Sequence, residues 1–208
     1  PLGWVTSVSN ANSGVGSDTS ASKAFMGKLY YMPIDPLYLS ASYYDSGKLK
    51  GASEMSVAGL TSVPTGANEW KRKIWELDAR YDFGKGKKPL DPPAYSDSKA
   101  ILRLSYGQFG DEANRSRHGN FGFVDGIYNL TKKFYTAGRY SFVNLDGDAT
   151  ATLNSVTANE YNRYSLGFGY RWSENTILKL GYDWNKQSGS NTADADDNLL
   201  SAIVATQF

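Results

Sequence analysis

Hydrophobic and polar residues alternate along this chain with a period of two, and no helical periodicity persists beside that alternation. The pattern is sharpest at residues 74–83. Trp75, Leu77, Ala79, Tyr81 and Phe83 fall on one face of an extended strand, and Glu76, Asp78, Arg80 and Asp82 fall on the other. Four charges on one strand face cannot all enter a dry core, because each would lose its hydration. They need water, while the opposite face is wholly apolar and aromatic. One watery face and one lipid-like face on the same strand is the pattern of a transmembrane β-barrel.

The alternation recurs along the chain. Tyr164, Leu166, Phe168, Tyr170 and Trp172 alternate with Arg163, Ser165, Gly167, Gly169 and Arg171. Leu178, Leu180, Tyr182 and Trp184 alternate with Lys179, Gly181, Asp183 and Asn185. Leu102, Leu104 and Tyr106 alternate with Arg103, Ser105 and Gly107, and Leu37, Leu39, Ala41 and Tyr43 with Tyr38, Ser40, Ser42 and Tyr44. On either side of Lys132 and Lys133 the pattern is softer: Val124, Tyr128, Phe134, Tyr140 and Phe142 make an outer face, with Asp125 and Arg139 inward. The predicted fold is all-β: one antiparallel transmembrane β-barrel domain over residues 1–208, with about nine or ten strands.

Connections alternate in length. Short turns are predicted at 33–36, 131–133 and 173–175, and long polar loops at 46–69, 111–120, 145–160 and 188–198. Bacterial barrels have short periplasmic turns and long extracellular loops, so the long set is assigned to the outside. Residues 84–98, with three prolines, are long where a short turn is due.

The last ten residues resemble the C-terminal assembly signal of bacterial outer-membrane proteins. Phe208 is the terminal aromatic, and Val204, Ala202 and Leu200 hold the alternate apolar positions before it. The hairpin over 24–44 is similar to those of Gram-negative porins. The resemblance implies insertion by the outer-membrane assembly machinery, contact with outer-membrane lipid and lipopolysaccharide, and a channel for ions or small polar solutes. A homo-oligomer is left open. Counting back from a periplasmic Phe208 puts every short turn on the periplasmic side and yields nine strands after Ser22. An even number is required, so a further strand is expected before it. Val5, Thr6, Ser7 and Val8 read as a poor strand, which favours the C-terminal portion of a larger barrel. The opening lacks a basic start and apolar core, so a signal peptide is expected to have been removed or to lie outside this chain.

Composition narrows the function. Lys and Arg number 22 against 21 Asp and Glu, without a basic patch, which argues against nucleic acid. No run approaches the roughly 20 apolar residues of a membrane helix. There is no cysteine, hence no thiol chemistry, and a single histidine, His118, in a polar loop beside Arg115 and Arg117. Neither a catalytic triad nor a zinc site is expected, so no enzyme and no cofactor is predicted. Glu76 and Asp78 sit about 7 Å apart on one strand face, a spacing that suits acid–base work but equally a charged wall. Asp194, Asp196 and Asn198 imitate the start of a calcium loop, but Leu199 stands where glycine is needed.

The expected site is a water-filled lumen. Its predicted lining is Glu76, Asp78, Arg80, Asp82, Arg103, Asp125, Arg139, Arg163, Arg171, Lys179 and Asp183. The alternative is a structural barrel sheathing a partner, such as a multihaem cytochrome in an electron-transfer conduit.

Overall fold

The structure is a computed structural model that describes residues 2–10, 22–50, 69–84, 98–112, 117–146, 151–153, 156–173, 175–188 and 198–206. Thirteen strands form, and no helix is present among the described residues. They are β1 (Leu2–Asn10), β2 (Lys23–Ile34), β3 (Leu37–Asp45), β4 (Leu49–Lys50), β5 (Glu69–Phe83), β6 (Ala100–Glu112), β7 (Arg117–Asn129), β8 (Phe134–Leu145), β9 (Ala151–Leu153), β10 (Val156–Ala158), β11 (Glu160–Arg171), β12 (Thr176–Ser188) and β13 (Leu199–Thr206).

Ten of them make one antiparallel meander in the order β1-β2-β3-β5-β6-β7-β8-β11-β12-β13, with β4 extending the sheet beside β5. Each of the ten pairs antiparallel with the next of the ten along the chain. Among the described residues β1 and β13 do not pair with each other, and the sheet has two open edges. β9 and β10 form a small separate hairpin within the loop predicted at 145–160.

The sheet is inside-out relative to a soluble fold. Among the described residues 31 large hydrophobic side chains are exposed and six hydrophobic residues are buried. On β5 the two faces separate: Trp75, Leu77 and Phe83 are exposed, while Glu76, Asp78 and Arg80 on the other face are half-buried and Asp82 is buried. Such an apolar face stays out of water only in lipid, and a closed or continuing sheet satisfies the backbone polar groups there. On β5 it runs from Trp75 to Phe83, nine residues, the length a membrane-crossing strand needs. Beyond it the same face turns polar: Lys73 pairs with Glu112 at 2.5 Å.

Aromatic residues flank the apolar band. Tyr43 opposes Trp75, which packs edge-on against Tyr106 at 5.7 Å, and Tyr140 lies 4.9 Å from Tyr164. Toward the other end Tyr81 packs on Phe83 at 4.6 Å and Phe134 on Tyr170 at 4.7 Å. Ring bodies in hydrocarbon with polar tips in water suit the two membrane interfaces.

β1 overturns one expectation. It pairs with β2 over its full length, from Leu2 with Tyr31 to Asn10 with Lys23. Weak intrinsic preference at Thr6 and Ser7 is overridden by a well-formed partner strand. The loop predicted at 111–120 is also shorter, because β6 continues to Glu112 and β7 begins at Arg117. The short turns fall where predicted. At the β7–β8 turn the Thr131 hydroxyl accepts from the backbone N–H groups of Lys133 and Phe134, and at the β2–β3 turn the register shifts between Tyr31 and Ile34, beside Pro33, which has no N–H to give the ladder.

Candidate functional site: a charged sheet face

The face opposite the apolar band carries the charges, and strand register brings them into rows. One row reads Tyr38 (β3), Arg80 (β5), Arg103 (β6), Asp125 (β7), Arg139 (β8), Ser165 (β11) and Asp183 (β12), each directly opposite the next. The adjacent row holds Ser40, Asp78, Ser105, Phe123, Ser141, Arg163 and Asn185. Seven of the eleven predicted residues lie in these two rows.

Asp125 is the centre of the first row. It is buried, accepting from Arg103 Nε at 2.7 Å and from Arg139 Nη2 at 2.5 Å. One carboxylate serving two guanidiniums leaves positive charge in excess there. The Arg139 guanidinium lies over Phe123, 4.6 Å from its centroid. Arg80 clamps Asp82 through Nε and Nη2, both at 2.9 Å. Asp78 accepts from Lys28 Nζ at 3.3 Å and from the Ser40 hydroxyl at 2.9 Å, and the Ser105 hydroxyl donates to Glu76.

The other cations differ in setting. Arg163 is exposed and donates from Nε to Asn185 at 2.6 Å. Lys179 is exposed, and Asp183 is half-buried. Arg171 is tied down near the short turns: it donates to Asn129 at 2.8 Å and to the Lys132 carbonyl at 3.2 Å, and stacks on Tyr135 at 4.7 Å.

Two predicted lining residues need correction. Asp82 and Asp125 do not face water, as the alternation argument required; they are 1% and 5% exposed, with arginines lying over them. Hydrogen-bonded ion pairing replaces the hydration that the sequence assigned to them. Asp194, Asp196 and the terminal Phe208 lie outside the described residues, as does most of the calcium-like loop. Asn198 accepts a hydrogen bond from the Asn185 backbone at 3.3 Å. Among the described residues no three acidic or histidine side chains gather as a metal site would need. Leu200 and Val204 are exposed, and Leu200, Ala202 and Val204 share the apolar face, opposite Tyr182, Leu180 and Leu178.

Sequence reasoning missed Lys28, which continues the charged face onto β2, and a buried pair at the loop-rich end. Arg72 and Asp111 are 1% and 0% exposed, joined by two bonds of 2.6 and 2.8 Å. The guanidinium lies between the Trp70 ring at 5.2 Å and the Phe109 ring at 5.6 Å. Beside it Phe109 and Leu145 pack with Ile74, Phe121, Val143 and Tyr161. The charged face therefore becomes apolar toward this end. Ile74 breaks the polar alternation in the sequence, which hid Arg72 two residues before it.

Rings on the charged face lie over glycines of the neighbouring strand. Phe121 covers Gly107, Phe109 covers Gly119 and Tyr135 covers Gly169; a Cβ at any of these would collide with the ring. A ring lying flat keeps the wall thin. Gly169→Leu is expected to push Tyr135 off the wall and break its stack with Arg171, at about 1–3 kcal/mol for overpacking. Equilibrium unfolding in lipid vesicles reads that loss; unchanged stability would mean the ring relocates freely.

No protein-family model matches the sequence, and no match among curated proteins reaches significance. Solved structures do match. "Outer-membrane expressed OmpT of Vibrio cholerae" aligns with a TM-score of 0.59 at 13% identity, over 94% of this chain and 61% of that one. The in-vitro folded trimer form of OmpT aligns at 0.55 and 12% identity, over 96% and 60%. A loop L8 deletion mutant of OmpT aligns at 0.55 and 14%, over 89% and 57%. The chain spans about three-fifths of the length of these structures. At such identity the likeness is one of fold: an antiparallel outer-membrane β-barrel. With an exposed apolar band on one face and charge on the other, the chain sits in the bacterial outer membrane.

The expectation that the chain is not an enzyme is corrected. Its structural neighbours are OmpT outer-membrane proteins, and likeness to them gives no ground for excluding catalysis. The placing of His118 in a loose loop also fails: it stands on β7, directly opposite Gly110.

Proposed function

We propose that this sheet forms part of the wall of a larger outer-membrane barrel, a porin-type channel through which ions and small polar solutes diffuse. One observation carries the reading: partly or fully exposed cations line the sheet face opposite the apolar band. Arg103 and Arg139 keep 37% and 44% of their side chains exposed, and Arg163 and Lys179 are exposed as well. Charges of that exposure need water, and on the inner side of a membrane barrel the water is a lumen.

Fixed charges along a narrow aqueous path bias its ion content, and salt screens them over about 10 Å at 0.1 M. Arg163→Ser combined with Lys179→Ser removes two cations that hold no carboxylate among the described residues. The variant is expected to shift the reversal potential of the full-length protein toward cation preference, most at low salt. A planar-bilayer recording under a potassium chloride gradient measures it. Absence of conductance from folded protein would replace the open channel with a filled barrel. Conductance with an unmoved reversal potential would take these two residues off the conducting path.

A further inference from the structure

We propose that the hollow on the charged face across β2, β3, β5, β6 and β7 is a binding subsite for a small aromatic carboxylate. The inference deepens the channel reading by naming a solute class, and depends on it for the route by which the solute arrives. Lys28, Tyr38, Asp78, Arg80, Arg103 and Phe123 line the hollow, and the chain at Ala79 and Leu104 completes it. Its volume of about 240 Å³ falls below the usual 300–1,000 Å³ of sites for drug-sized ligands, so it takes a solute of about one ring.

Charge selects the ligand's sign. Arg80 and Arg103 are direct partners in the β5–β6 ladder, a like-charge pairing that is destabilising by itself. Arg80 is balanced by Asp82, and Lys28 by Asp78. Arg103 is only half balanced, because Asp125 also serves Arg139. The excess is local to Asp125, where two guanidiniums share one carboxylate, and an anion at Arg103 offsets it. Glu76 accepts from Ser105 and stands in the row of Lys28, two rows from Arg103.

Geometry selects the anion's shape. Arg103 donates only its Nε to Asp125, so its two terminal nitrogens make no hydrogen bond among the described residues. That fork matches the two oxygens of a carboxylate. Tyr38 on β3 and Phe123 on β7 both line the hollow, with β5 and β6 between their strands. Two lining rings favour an apolar, planar body behind the carboxylate.

Calorimetric titration of the full-length protein folded in detergent reads the site without requiring conduction. Benzoate is the probe, acetate and benzylammonium the controls. Saturable benzoate binding is expected, with weaker acetate binding and none of benzylammonium. Arg103→Gln should weaken benzoate at least tenfold, the value of a lost charged hydrogen bond. Asp125 keeps Arg139 in that variant. Phe123→Leu should narrow the margin of benzoate over acetate, and serves as the test if Arg103→Gln does not fold. Equal affinity for acetate and benzoate would overturn the aromatic assignment. No saturable binding, or binding unchanged in both variants, would overturn the site. In bilayers, binding without conductance would sink the channel and keep the site, and conductance insensitive to benzoate would do the reverse.

Discussion

Asp111→Ala should destabilise the barrel by about 3–5 kcal/mol, the cost of stranding a buried charge by removing its partner. Arg72 and Asp111 are each at most 1% exposed and joined by two hydrogen bonds. The guanidinium is held between the rings of Trp70 and Phe109. Without the carboxylate the guanidinium loses both charged hydrogen bonds in a setting that is 1% exposed. Arg72→Met combined with Asp111→Leu should recover most of the loss, because both desolvated ions are then gone and the apolar cluster of Phe109, Leu145 and Ile74 extends over the site. Urea unfolding in lipid vesicles, followed by tryptophan fluorescence, distinguishes the two. A single variant within about 0.5 kcal/mol of the parent would show that water reaches Arg72.

Leu77→Arg should cost about 2–4 kcal/mol if the site lies near the bilayer midplane, and reduce folding yield in vesicles. Leu77 is 52% exposed, inside the nine-residue apolar band of β5, with Ala41 and Tyr106 as its cross-strand neighbours. An arginine there has Ala41 and Tyr106 beside it, no carboxylate, and must draw headgroups or water toward it. Leu180→Arg, 51% exposed on β12, should behave alike. Ser165→Arg is the control. It places the same charge on the opposite face, between Arg139 and Asp183, where water and a carboxylate are at hand. Equal yields for Leu77→Arg and Ser165→Arg would remove the distinction between the two faces.

Much of the fold was legible in the sequence, because in a barrel strand the two faces meet different solvents. Trp75, Leu77 and Phe83 are exposed as their alternation with Glu76, Asp78, Arg80 and Asp82 required, and Leu166, Phe168, Leu180 and Leu104 repeat this on other strands. The short turns were legible for a similar reason: Thr131 and Pro36 are residues that turns use. Which face each charge lies on therefore followed from local sequence alone.

What local sequence cannot carry is the distance between strands. Asp125 is 22 residues from Arg103 and 14 from Arg139, and only register makes it their shared, buried partner. Arg72 and Asp111 are 39 residues apart, and their burial depends on rings supplied by neighbouring strands. β1 was undervalued because Val5, Thr6, Ser7 and Val8 are weak as an isolated segment, while a strand is stabilised by its partner. The sequence by itself determined an all-β chain with one lipid face and one polar face, since period-two alternation is a local property. Only the tertiary structure decided which polar residues are sealed and which keep water, since that depends on how far one strand slides along the next.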